Sequence, residues 1–317
     1  MTKEGAKRIF YGGVIVFFFA LVISRAPQSR EVLVLSAQNC FFTVIPAVFP
    51  CAVLGALIGT GVAEFPEFLK RAISFVFGVS REGAGALLAG LFAGFPVGAS
   101  GASGLYARKR IDGDDLCRIA AFSATPGCAF VISGVGSGMF DSTRTGAVIY
   151  ITVIAAVFLV GFLTKNGKNV RKDDFSDDRS FVLQTPTLFE ALTESVMKSA
   201  LAMLNLTAFL VFFSLLASFS SEIISAAKLP EAVGKILSGL LEVTLGCQSA
   251  SGTAGRTGKL LAVIFCSFGG LSVQMQTLSV CAPCKVKGLA GRMFFLRSLI
   301  TACAAVVFAV LGTAGLY

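Results

Sequence analysis

The chain has 317 residues, of which 55% are hydrophobic and 14% charged, and its mean hydropathy is +0.81. Soluble domains carry about 25% charged residues, so this composition excludes that class and indicates a polytopic, all-α membrane protein. The formal charge of +9 comes from basic residues in short loops beside apolar segments, which marks topology rather than nucleic-acid binding. There is no histidine, so imidazole is removed as base or metal ligand and proton work falls to carboxylates.

Behind Lys3, Lys7 and Arg8, the apolar segment 10–24 is followed by no small-x-small cleavage pattern and predicts a retained first helix. Segment 32–61 is long enough to cross a bilayer, with Pro46 and Pro50 promising a kink. Residues 64–82 are mixed and predict an interfacial connector. The stretch 87–104 is apolar yet carries Gly90, Gly94, Gly98, Gly101, Gly104 and Pro96, too many breakers for an ordinary spanning helix. Irregular backbone at membrane depth survives only where protein or a water-filled cavity satisfies it, so a re-entrant hairpin is expected here. Asp112, Asp114 and Asp115 follow the basic run Arg108–Arg110 and read as a helix-capping turn. Segment 116–139 is a span interrupted at Thr125, Pro126 and Gly127, and 145–163 a clean one.

The polar, densely charged stretch 165–186 reads as a cytoplasmic linker between two similar halves. Beyond it come a long span (188–218), an amphipathic connector (220–237), a second glycine-rich hairpin (241–255), a span broken at Gly269–Gly270 (259–280) and a last span (293–316). The division is an extra N-terminal helix (1–31), a first repeat (32–164), the linker (165–186) and a second repeat (187–317). If both hairpins return to the side they entered, every Lys and Arg lies on the cytoplasmic side except Arg25, Arg30, Arg144, Lys228, Lys235, Arg256 and Lys259. That skew obeys the positive-inside rule and makes the repeats inverted.

Interrupted apolar segments in corresponding places of two halves are the best sequence pointer to a transporter binding site. In the first half they offer Gly94, Phe95, Pro96 and Gly98 of the hairpin and Ser123, Thr125 and Gly127 of the broken span. In the second half they offer Thr244, Gln248 and Ser249 of the hairpin and Ser272, Gln274 and Gln276 after Gly269–Gly270. Broken helices aim amides at anions and carbonyls at cations, which suits a carboxylated substrate with a coupling ion. The competing reading is that these side chains only bond neighbouring helices. Glu242 stands alone in an apolar stretch and predicts a site for a proton, Na+ or a basic substrate group; the alternative is an interfacial pair with Lys235, Arg256 or Lys259. No metal site is predicted, since Cys281 and Cys284 have metal or redox spacing but no second pair or histidine joins them. There is no Walker A motif and no paired catalytic acids in the spans, so an enzyme is not expected.

On the motifs GFPVGA (94–99), GVGSGMF (134–140), LLEVTLG (240–246) and FGGLSVQMQ (268–276), the chain from about Cys40 onward resembles the YlbJ/SpoVV type of sporulation integral membrane protein. That family lies within the nucleoside-recognition gate group that includes concentrative nucleoside transporters. The resemblance implies hairpins meeting near the midplane and movement of dipicolinic acid across the outer forespore membrane of a sporulating bacterium. Where family members often carry Asn near 123–125 and a basic residue at 100, this chain has Ala124, Thr125 and Ser100. Expected partners are therefore a small anionic metabolite and the lipid bilayer, with no nucleic acid and with an oligomer left open. A nucleoside-type carrier and a non-transporting sporulation scaffold are the alternatives.

Overall fold

The computed structural model describes residues 3–60, 65–165 and 187–313, all of them in helices and their connections, with no strand among them. Apart from Lys165, the expected linker lies outside the described residues. Among the described residues six helices are long and apolar enough to cross a membrane: Glu4–Ser24, Ala26–Ile58, Thr143–Leu163, Leu188–Ala226, Gly255–Cys284 and Leu289–Gly312. The apolar window of the first, within α1 (Lys3–Ser24), has no buried residue. It touches the rest of the fold mainly through Phe18, whose ring meets Phe212 and Phe219 edge-on, and a helix apolar all round with so little packing is one that a bilayer solvates.

The second of these segments is not uniform. Helix α2 (Ala26–Asn39) passes through a π-helical turn (Cys40–Val44) into α3 (Ile45–Gly59). Pro46 has no N–H to offer Phe42, and the ladder widens so that Ile45 bonds back to Cys40; the expected irregularity therefore falls one turn ahead of the proline. Helix α4 (Glu67–Phe77) is amphipathic, with Ile73 and Phe77 buried while Phe68 and Phe75 are exposed. It ends at left-handed Gly78, and α5 (Arg81–Ala93) departs at 91°. Buried Arg118 pins this corner by donating to Phe77 O (2.6 Å), Thr164 O (2.9 Å) and Gly161 O (3.3 Å), a cation placed on carbonyls at the C-terminal ends of two helices.

Helices α5 and α6 (Val97–Ala107) pack together around a turn at 94–96, with the Phe95–Pro96 peptide cis. Gly90, Gly98, Gly101 and Gly104 are helical, so the break is narrower than the glycine content suggests. Gly90 and Gly98 touch backbone to backbone, and Ser123, at the end of α7 (Gly113–Ser123), fills the crossing. As expected, Asp112 caps α7 by accepting the Asp115 N–H at 2.8 Å. After a break at 124–127 the chain continues through a π-helical stretch (Phe130–Ser137) to α8 (Thr143–Leu163), capped by Ser142.

The second half repeats the crossing. Helices α10 (Glu231–Leu241) and α11 (Val243–Ser251) touch where Gly239 meets Gly246, and the Phe265 ring of α12 (Gly255–Phe268) lies against both. One expectation needs correcting. Residues 220–226 complete the 39-residue helix α9 (Leu188–Ala226), so only the later part of the expected connector is a separate helix: amphipathic α10, which like α4 is 11 residues long and starts directly after a proline, and which packs on α11 as the first arm of the second helix pair. Helix α13 (Gly270–Cys281) follows left-handed Gly269, and α14 (Leu289–Thr313) closes the described chain.

Gly94 sits at φ +82°, and a Cβ there would collide with the backbone of Gly127. Gly94→Ala is expected to cost about 2–3 kcal/mol through strain and the lost approach, read as a lowered unfolding midpoint in detergent. A midpoint equal to that of the parent contradicts this.

Candidate functional site

Four backbone interruptions form one connected chain of contacts. The turn at Gly94 lies on Gly127 of the first break. At the second break, consecutive left-handed glycines Gly269 and Gly270 bring the backbone within reach of Ala124 O on one side and of Leu241 O and the Val243 N–H on the other. The fourth interruption is Glu242, extended between α10 and α11 (φ −140°, ψ 121°). At 269 and 270 only glycine takes the left-handed conformation without strain at this spacing. Both turns and both breaks thus lie side by side.

Between them is a tight cleft of about 20 Å³, room for about one water molecule. Its polar lining is Glu242, Thr244, Ser272 and Gln276. Phe95 and Phe130 supply aromatic walls, and Val44, Val48, Leu206 and Leu210 reach in from the two long spans. No Lys or Arg lines it.

Glu242 is 1% exposed. Its Oε2 accepts the Leu245 N–H at 2.7 Å, capping α11, and no ion pair reaches it among the described residues. Of the cations named for the interfacial alternative, Lys235 pairs with Glu231 at 2.9 Å and Arg256 donates to Ala309 O at 2.8 Å. The first turn of α13, which contributes Ser272 to the cleft, has no side-chain cap, so its N–H groups keep the anion-binding capacity of an open helix start. The buried Oε1 atoms of Gln274 and Gln276 and the Oγ of Ser123 have no hydrogen-bond partner among the described residues.

The structure brings Phe95, Gly127, Thr244, Ser272 and Glu242 together in the cleft, with Gly94 and Pro96 forming the turn beside it. Other expected residues lie elsewhere. Gly98 and Ser123 are packed in the α5–α6 crossing. Gln274 points away, its Nε2 donating to Phe268 O at 3.3 Å. Gln248 is exposed and Ser249 half-buried on the outer part of α11, where the helix has turned them off the lining. Thr125 is buried but engaged, its Oγ1 donating to Phe122 O and accepting from Arg297.

Arg297 is the residue that sequence reasoning missed. It lies in α14 with no exposed surface and donates to Thr125 Oγ1 (3.1 Å), Phe268 O (3.2 Å) and Cys266 O (3.4 Å). It therefore ties the first break to the carbonyl end of α12 at the second. The available signal was an arginine flanked by FFL and SLI, the same kind of isolated charge that singled out Glu242. No protein-family model, curated protein or solved structure matches the chain.

Proposed function

We propose that the chain is a secondary membrane transporter that moves a small metabolite by alternating access. In this reading the halves are inverted repeats, α5–α6 and α10–α11 are re-entrant hairpins, and 116–139 and 259–280 are the broken spans. The observation that carries it is the meeting of both turns and both breaks at one cleft holding a buried carboxylate without a cation partner among the described residues. A spanning protein that only needed to be stable would avoid so costly an arrangement.

Dipicolinic acid is the cargo that the family resemblance supplies, and the outer forespore membrane the location. Its ring would lie against Phe95 and Phe130, and one carboxylate against the open start of α13. Because no Lys or Arg lines the cleft, a dianion needs Glu242 to carry a proton or hold Na+. The protein's part in this is transport without chemical conversion of the cargo. The apolar, cation-free lining also favours a second reading, a neutral aromatic solute of the nucleoside class.

Purified protein in proteoliposomes tests both. Uptake of labelled dipicolinate driven by a proton or Na+ gradient, uncompeted by uridine, is the expected result. Uridine uptake without dipicolinate uptake selects the second reading, and flux of neither solute under any gradient contradicts the transporter proposal.

A further inference from the structure

The buried face of α9 runs through Ser195, Ser199, Met203, Leu206, Leu210 and Ser214, one seam at three- and four-residue spacing. Leu206 and Leu210 line the cleft. At about 100° and 1.5 Å per residue, Ser199 and Ser195 share the direction of Leu206 about 11 and 17 Å nearer the start of the helix, and Ser214 lies about 6 Å beyond Leu210. The serines at 195, 199 and 214 are 0%, 3% and 1% exposed, and their hydroxyls have no hydrogen-bond partner among the described residues. Other hydroxyls of α9 bond back to the turn before: Thr193 to Phe189 O, Thr207 to Met203 O and Ser220 to Leu216 O. The seam serines do not, so they are directed into the packing rather than onto their own helix.

A buried hydroxyl without a partner is costly, and alanine would fill the same space without that cost. Three on one seam, on both sides of the cleft, are satisfied together if water enters when the seam parts. The two halves of the seam have different neighbours. Cys40, at the junction of α2 with the π-helical turn before α3, meets Thr207 at 3.2 Å, and Arg25, just ahead of α2, pairs with Glu222 at 3.7 Å. Helix α2 therefore runs along the later half of α9, where Ser214 lies, and α3, which also packs on α9, along the earlier half with Ser195 and Ser199. The cleft has room for about one water molecule, so a larger solute reaches it only when one half separates. Resting on the alternating-access reading above, we infer that the α9 seam is the wetted wall of the access path. Water and solute reach the cleft past Ser195 and Ser199 when the earlier half is open, and past Ser214 when the later half is open.

The test uses Ser195→Cys, Ser199→Cys and Ser214→Cys, with Leu204→Cys as an exposed apolar control, in the full chain after its nine native cysteines are replaced by serine or alanine. Each is treated with an impermeant methanethiosulfonate in right-side-out and in inverted vesicles. The reacting thiolate forms in water rather than in hydrocarbon, so the seam cysteines are expected to react about tenfold faster than Leu204→Cys. Ser195→Cys and Ser199→Cys react from one side of the membrane and Ser214→Cys from the other. Rates no faster than the control, or all three cysteines reacting from the same side, overturn the inference. Ser199→Ala supplies a second readout: loss of an unpartnered hydroxyl should hold or raise the unfolding midpoint in detergent, whereas a lowered midpoint means the hydroxyl is already satisfied and contradicts the inference. Neither readout needs cargo. Failure of dipicolinate and uridine to cross strikes the transporter proposal without changing these rates, and flux with an unlabelled seam strikes the seam alone.

Discussion

Arg297→Met is expected to destabilise the protein by about 3 kcal/mol, in the range for removing one member of a buried charged network. The guanidinium is fully buried, and no carboxylate pairs with it among the described residues. What holds its charge is the carbonyl end of α12, through Cys266 O and Phe268 O, together with Thr125 Oγ1. That end of a helix carries partial negative charge. Methionine relieves the desolvation of the cation, but it strands Cys266 O and leaves Phe268 O with only the Gln274 Nε2 donor, and each charge-assisted bond is worth about 1.5–3 kcal/mol. The lost bonds decide the sign. Arg297→Lys should recover only part of the loss, because one ammonium cannot span both breaks as a planar fork does. Thermal unfolding midpoints in detergent check the order parent, Lys variant, Met variant; three equal midpoints contradict it.

Glu242→Gln is expected to separate stability from transport. Glutamine keeps an oxygen to accept the Leu245 N–H, so α11 stays capped and the unfolding midpoint should change little. It cannot take up and release a proton or balance a cation. Gradient-driven uptake should therefore fall roughly tenfold or more, since even about 1.4 kcal/mol of lost coupling is a factor of ten. Glu242→Ala adds the loss of the cap, at about 1 kcal/mol. Full gradient-driven uptake by the glutamine variant would remove Glu242 from the mechanism.

The sequence made the breaks legible because backbone chemistry is local. Pro96, Pro126 and Gly269–Gly270 announce interruptions wherever they occur, and each is found where it was expected. Glu242 was legible for a similar reason, as a charge with no polar neighbour in sequence. What remained hidden depends on helix rotation. Gln248 and Ser249 lie on the same short helix as Thr244, and a rotation of about 100° per residue decides which of them faces the cleft. The end of α9 lies beyond the expected boundary at 218 because serines there do not break the helix when they bond their own backbone, as Ser220 does to Leu216 O at 2.8 Å. Arg297 went unread because its partners, two carbonyls of α12 and the Thr125 hydroxyl, are distant in sequence.

The most direct test of the central claim is access to the cleft from each side of the membrane. Thr244→Cys, in a chain whose nine native cysteines are replaced by serine or alanine, is exposed to an impermeant thiol reagent in right-side-out and in inverted vesicles. The account predicts labelling from both sides, with one side favoured as the gradient is reversed. Labelling from one side only, unchanged by any gradient, or from neither, would contradict a cleft that opens alternately.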